Sequence, residues 1–271
     1  ALFIFVSVAG AVEVIKNSDC LECHGDKTLT KTAADGKEVS VFVDEKLFGA
    51  SVHRTNACVS CHADLPSKHP DDNKPAKPVS CGTCHTEAAG EYANSIHGFS
   101  HNNLGSAAAS CTDCHGKHGM LPVKHPGSPV FKLNLPATCA KCHANTNFTA
   151  QYNIKNQTAA SHYLDSIHGQ ALIKKGLIVA PSCADCHGVH NILRSQDKGA
   201  AISHQNIAKT CGQCHLKVEE VYEKSVHGQL LAKGDKQGPV CTDCHTAHEV
   251  ETPTNGHFKQ VSDQRCGKCH T

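Results

Sequence analysis

The sequence predicts a mainly α fold with little regular secondary structure: short helices, long loops and one small β-hairpin near the N-terminus. Three observations lead there. Aromatic residues make up 4 % of the 271, with no Trp and one Met, so the bulky groups that fill an ordinary core are missing. The chain nevertheless carries 18 Cys and 22 His, which argues against disorder and against an ordinary cytosolic enzyme. The stretches between Cys/His clusters, such as 66–80 and 121–137, are rich in Pro and cannot hold a long helix. A formal charge of +1 with no Lys/Arg run gives no footprint of a nucleic-acid partner.

Every cysteine lies in a CxxC pair, and every pair is followed by His. The motifs are Cys20, Cys23 and His24; Cys58, Cys61 and His62; Cys81, Cys84 and His85; Cys111, Cys114 and His115; and Cys139, Cys142 and His143. They continue with Cys183, Cys186 and His187; Cys211, Cys214 and His215; Cys241, Cys244 and His245; and Cys266, Cys269 and His270. CxxCH is the attachment sequence of c-type haem, whose vinyl groups take both thiols as thioethers while the adjacent His binds iron from the proximal side. Zinc knuckles and redox CxxC pairs do not demand a His after every second Cys. The expectation is nine haem c groups and no structural disulfide. The porphyrins then supply the missing core, making this a haem-packed fold whose propionates swing the charge strongly negative.

Taken in order, residues 1–11 (ALFIFVSVAGA) are an apolar run ending in a signal-peptidase-like site. Residues 1–15 read as a signal remnant or a membrane anchor, the visible run being too short to span a bilayer alone. Residues 16–50 form a leading haem segment, with alternating apolar residues on either side of Asp35-Gly36 predicting a hairpin of roughly 28–32 with 38–43. Asp44 is placed to cap the helix that leads to His53. Residues 51–143 hold units one and two, and 144–271 units three and four. Each unit reads SxH, CxxCH, a linker with His, CxxCH. Helices are expected at about 86–97, 157–174 and 216–232. In the last, Val218, Val221, Tyr222, Ser225 and Val226 recur at helical spacing, a stripe suited to packing on a haem.

The remaining histidines are the supply of sixth ligands. The SxH residues His53, His97, His168 and His227 hold one repeated position. His118, His190 and His248 stand three residues past a motif His, in CHxxH; unit one has Leu65 there. The linkers add His69, His125, His204 and His257, while His101, His162 and Met120 fall outside the pattern. Twelve residues of helix span about 18 Å, so His97 cannot reach the far face of the haem just upstream at His85, nor His227 that at His215. A CHxxH histidine lies on the same side as its own motif ligand. Both kinds must therefore serve other haems, and distal ligation should stitch the motifs together.

CADCHGVH with SIHG, and the recurring CxxCH pairs, resemble the multihaem c-type cytochromes with doubled motifs, over residues 20–270. The resemblance implies low-potential, bis-His electron carriers, with axial ligation as the main lever on potential. It implies an exported protein: periplasmic, anchored facing the periplasm, or extracellular. Its partners would be redox proteins or copies of itself, with a membrane quinol-oxidising complex as one donor. Three functions fit. The first is an electron relay with no catalytic residue. The second is a subunit of a polymerising extracellular filament. The third is a reductase of nitrite, hydroxylamine or a sulfur oxyanion, which would need one open iron and acid–base groups beside it.

Overall fold

Short helices are dictated by how this sequence interrupts them. The computed structural model describes residues 15–33, 36–66, 69–71 and 74–270, so the apolar segment 1–11 lies outside the described residues. The two strands are Thr30–Thr32 and Glu38–Ser40, antiparallel, with Thr30 opposite Ser40 and Thr32 opposite Glu38. Thr30 and Thr32 both donate their hydroxyls to the Glu38 carboxylate at 2.6 Å. The hairpin is exposed throughout, so these polar cross-strand bonds, not burial, hold it. Asp44 caps Glu45–Ala50 as the sequence predicts, accepting from Lys46 N at 2.9 Å and Leu47 N at 3.1 Å.

The three expected helices are each broken in two, and the break falls on the serine of SxH. Thr86–Ala93 is followed by Ile96–Leu104, and Ala159–Asp165 by Ile167–Gly169, which continues as a π-turn at Gln170–Lys174. Ile207–Lys224, itself interrupted at His215, is followed by Val226–Ala232. Ser95, Ser166 and Ser225 take extended backbone angles and cap the second helix, each accepting from the glycine three residues on at 3.0–3.1 Å. Each hydroxyl also donates to the carbonyl of a tyrosine three residues back: Tyr92, Tyr163 and Tyr222. Glycine is required at the next corner. A Cβ on Gly98, Gly169 or Gly228 would sit 2.0–2.1 Å from that tyrosine's carbonyl oxygen.

The same tyrosines anchor the corner to the first motif of their unit. Tyr92 donates to Ala109 O at 2.7 Å, Tyr163 to Pro181 O at 2.8 Å and Tyr222 to Pro239 O at 2.9 Å. Those carbonyls lie just ahead of Cys111–His115, Cys183–His187 and Cys241–His245, each a single helical turn. An aspartate inside each motif closes that turn from within. Asp113, Asp185 and Asp243 accept from the backbone N–H of Ser110, Ser182 and Val240 at 2.6–2.7 Å. The residue after the motif His then reverses the chain at positive φ: Gly116 at 82°, Gly188 at 84° and Thr246 at 64°.

The linkers of units two and three share one scaffold. Asn134 and Asn206 each donate to two carbonyls upstream. Thr138 and Thr210 each donate to one at 2.7 Å.

Little of this is a side-chain core. Among the described residues the buried apolar set is Leu172, Ala180, Ala200, Ile207, Ala208, Leu231 and Val240. The chain divides into two compact bodies: residues up to Cys84 with Lys117–Leu121, and His85–Gly116 with Pro122 onward. No helix among the described residues is long and apolar enough to cross a membrane.

Candidate functional site

Six imidazole pairs stand out among the described residues, and each joins a motif histidine to one from outside the motifs. Ring centres are 6.3 Å apart for His62 and His118, 6.2 Å for His143 and His97, and 6.1 Å for His115 and His190. They are 6.2 Å apart for His215 and His168, 5.9 Å for His187 and His248, and 6.0 Å for His270 and His227. This is too far for ring stacking and too regular for chance. A metal–imidazole bond is about 2.0 Å and the nitrogen lies about 1.1 Å from the ring centre, so two imidazoles trans on one metal hold their centres about 6.2 Å apart. The residues present therefore fit an iron with two axial histidines, six times over.

The pairs obey a register. The SxH histidines His97, His168 and His227 face the second motif of their own unit. The CHxxH histidines His118, His190 and His248 face the first motif of the preceding unit. A backbone bond locks the second arrangement. The residue just ahead of the SxH histidine donates its N–H to a carbonyl two residues past the CHxxH histidine. These bonds are Val52 to Met120 at 2.8 Å, Ile96 to Ile192 at 2.8 Å and Ile167 to Val250 at 2.9 Å.

A third contact, absent from the sequence reading, lies six residues ahead of each SxH histidine. There Leu47 packs its Cβ at the edge of Gly119, beside His118. Glu91 reaches the Nδ1 of His190 at 3.4 Å. His162 lies 4.0 Å from Glu249, beside His248. Glu91 thus orients the His190 ring through Nδ1, the kind of support a metal-bound imidazole commonly has. The signal was available in the sequence only as a fixed offset, because the side chain at that offset changes type in every unit.

Burial lowers the pKa of His97, His143 and His168, and with neighbouring His248 and His143 it brings His187 down to about 4, which favours in these rings the neutral form that can bind a metal. Thiols of successive motifs lie side by side. Cys20 is hydrogen-bonded to Cys58, Cys139 to Cys183, and Cys211 to Cys241. Cys114 neighbours Cys139 and Cys142, Cys186 neighbours Cys214, and Cys244 neighbours Cys266. From Cys111 to Cys269 the attachment points therefore succeed one another in space as they do in sequence.

Other histidines stand apart from these pairs. His24 sets its Nδ1 against Val41 O at 2.8 Å. His245 stacks on Phe258, ring centres 5.0 Å apart at 11°. The linker histidines do not share one register position. His125 Nδ1 accepts from Gly127 N at 3.0 Å, and His257 Nδ1 is held by Glu251 at 3.0 Å. The Nδ1 atoms of His69 and His204 are buried without a hydrogen-bond partner. His101 sets its Nδ1 3.4 Å from Ala108 O.

Two known proteins match parts of this chain. The chain is 28 % identical over 132 residues to "Multiheme cytochrome MtrA" of Shewanella baltica, covering 48 % of this chain and 32 % of that one. It is 24 % identical over 251 residues to "High-molecular-weight cytochrome c" of Nitratidesulfovibrio vulgaris, covering 86 % of this chain and 40 % of that one. The matches thus span well under half of either relative's length. No family model and no solved structure matches.

Proposed function

We propose that this chain, a multihaem c-type cytochrome, relays electrons along nine covalently attached haems and is not an enzyme. The observation that carries the reading is the set of six imidazole pairs at iron-spanning distance. An iron held by two imidazoles supplies one-electron redox chemistry without an exchangeable position for substrate. The chain's own contribution is placement. The CxxCH turns fix one ligand and both thioethers, and the SxH and CHxxH residues bring the second ligand from elsewhere. By register, His53 serves as a sixth ligand alongside His97, His168 and His227. Successive attachment points lie in sequence order through most of the chain, which supports conduction along it. Haem attachment of this kind takes place outside the cytoplasm, so we place the protein in the periplasm, at its membrane face, or outside the cell. Its donors and acceptors are other redox proteins, a quinol-oxidising membrane complex among them.

Mass spectrometry of the denatured intact holoprotein tests the haem count, since thioethers survive denaturation. Nine haems are expected, with electron paramagnetic resonance dominated by low-spin ferric signals. Fewer than nine, or mainly high-spin iron, would overturn the relay.

A further inference from the structure

The three CHxxH histidines hold one register position but differ in what touches their rings. His118, His190 and His248 each face a first-motif histidine at 5.9–6.3 Å, so by distance the three sites are alike. At His190 the outer partner is a carboxylate, Glu91, whose Oε2 lies 3.4 Å from Nδ1. At His248 it is a neutral amide, the Asn156 side chain meeting Nδ1 at 3.0 Å. The acid next to His248 in sequence, Glu249, lies 4.0 Å from His162. At His118 the position of Glu91 belongs to Leu47, and a cavity beside the ring is lined by Leu47 and Lys117. Asp44 lines that cavity too, but its carboxylate accepts from the Lys46 and Leu47 N–H groups. The cation nearest to His190 in sequence, Arg194, is engaged by Asp197 at 3.4 Å and by the face of Phe99.

We infer that Glu91 is a positioning residue that sets the potential of the iron between His115 and His190, making it the lowest of the three centres closed by a CHxxH histidine. The inference rests on the relay reading above and ranks its steps. A carboxylate at Nδ1 draws the ring's N–H proton toward itself. That leaves more electron density on the nitrogen that binds iron and favours the ferric form. The negative charge acts in the same direction, because the ferric centre carries one positive charge more than the ferrous. The Asn156 amide brings no charge, and the Lys117 ammonium beside His118 opposes the ferric form. The centre of His62 and His118 is therefore the highest, that of His187 and His248 lies between, and that of His115 and His190 is the lowest. An electron on the relay rests on either of the first two in preference to the third. The setting position is the residue six ahead of the SxH histidine.

The experiment is a spectroelectrochemical titration of the full holoprotein, with electron paramagnetic resonance to count low-spin haems. Glu91→Gln keeps a polar partner for the ring and removes the charge. One one-electron component should move upward by about tenfold in its equilibrium constant, about 59 mV, with the low-spin count unchanged. A purely structural role would leave the potential in place. The same substitution made in a His190→Ala background should move no low-spin component, which identifies the centre. Leu47→Glu, at a position 59 % exposed, should move one component downward. Because the Glu91 and His190 side chains are 41 % and 38 % exposed, the Glu91→Gln shift should shrink at high salt. Nine low-spin haems with an unmoved titration overturn this inference alone, and so does a shift that persists without His190. Should Glu91→Gln fail to fold, Leu47→Glu decides, and no downward component overturns the inference. A wild type with fewer than nine haems, or with mainly high-spin iron, overturns the relay reading and this inference with it.

Discussion

The first motifs of units three and four are built from nearly the same parts. Each is a single helical turn, closed by an internal aspartate and anchored by a tyrosine bonded to the carbonyl ahead of it. Their surroundings differ. His187 faces His248 at 5.9 Å, and Ile167 bonds to Val250 beside it. His245 faces Phe258, and the Val226 N–H has no acceptor among the described residues. Gly188 turns the chain after the first motif, whereas Thr246 must do so after the second, at a φ of 64° and with its hydroxyl buried and unpartnered. The comparison teaches that a motif's own residues set its turn and the place of its histidine, whereas the imidazole facing a first-motif histidine comes from the next unit along.

Breaking the third unit should make it behave like the fourth. His248→Ala should give the His187 iron an open position. We expect one additional equivalent of carbon monoxide bound per protein and one fewer low-spin haem, with a shift in that centre's potential inside the roughly 0.8 V range that axial ligation spans. Spectroelectrochemical titration with carbon monoxide measures both. The next largest effect should be shared by the two units. Gly169→Ala and Gly228→Ala each drive a Cβ into a tyrosine carbonyl, costing about 3 kcal/mol in chemical denaturation. Equal costs would show that the corner is independent of what is docked on it, and a clear inequality would show that docking supports it. Tyr163→Phe should lose about 1 kcal/mol, the net worth of a half-buried hydrogen bond to Pro181, as seen in thermal melts. Last, Thr246→Gly should stabilise the holoprotein by about 1 kcal/mol by removing left-handed strain. Gly188→Thr should destabilise, because the new Cβ also meets the Asn191 side chain at 2.7 Å.

The attachment motifs, the repeat, the hairpin and the Asp44 cap were legible because each rests on local chemistry. So was the expectation that a motif histidine faces an imidazole from elsewhere in the chain, since helix rise alone keeps its near neighbours in sequence from facing it. The helix breaks were not legible. In 216–232 the apolar spacing runs unchanged through Ser225, and only the tertiary corner reveals that this serine ends one helix and begins another. The recurring Y-x-x-S-x-H-G at Tyr92, Tyr163 and Tyr222 was the available signal, three of the chain's four tyrosines falling there. The direction of pairing, onward for SxH and backward for CHxxH, needed the fold. Both choices satisfy the same reach, and only the backbone bonds from Val52, Ile96 and Ile167 select between them. The linker histidines looked alike as members of a repeat, but their surroundings differ. Asn134 with Thr138, and Asn206 with Thr210, are what the linkers of units two and three have in common.

Backward pairing has a temporal side. A polypeptide emerges N-terminus first, so His62, His115 and His187 are made before His118, His190 and His248, the imidazoles that face them. On the relay reading proposed above, each of these three centres closes only when the following unit arrives, and maturation proceeds like a zipper.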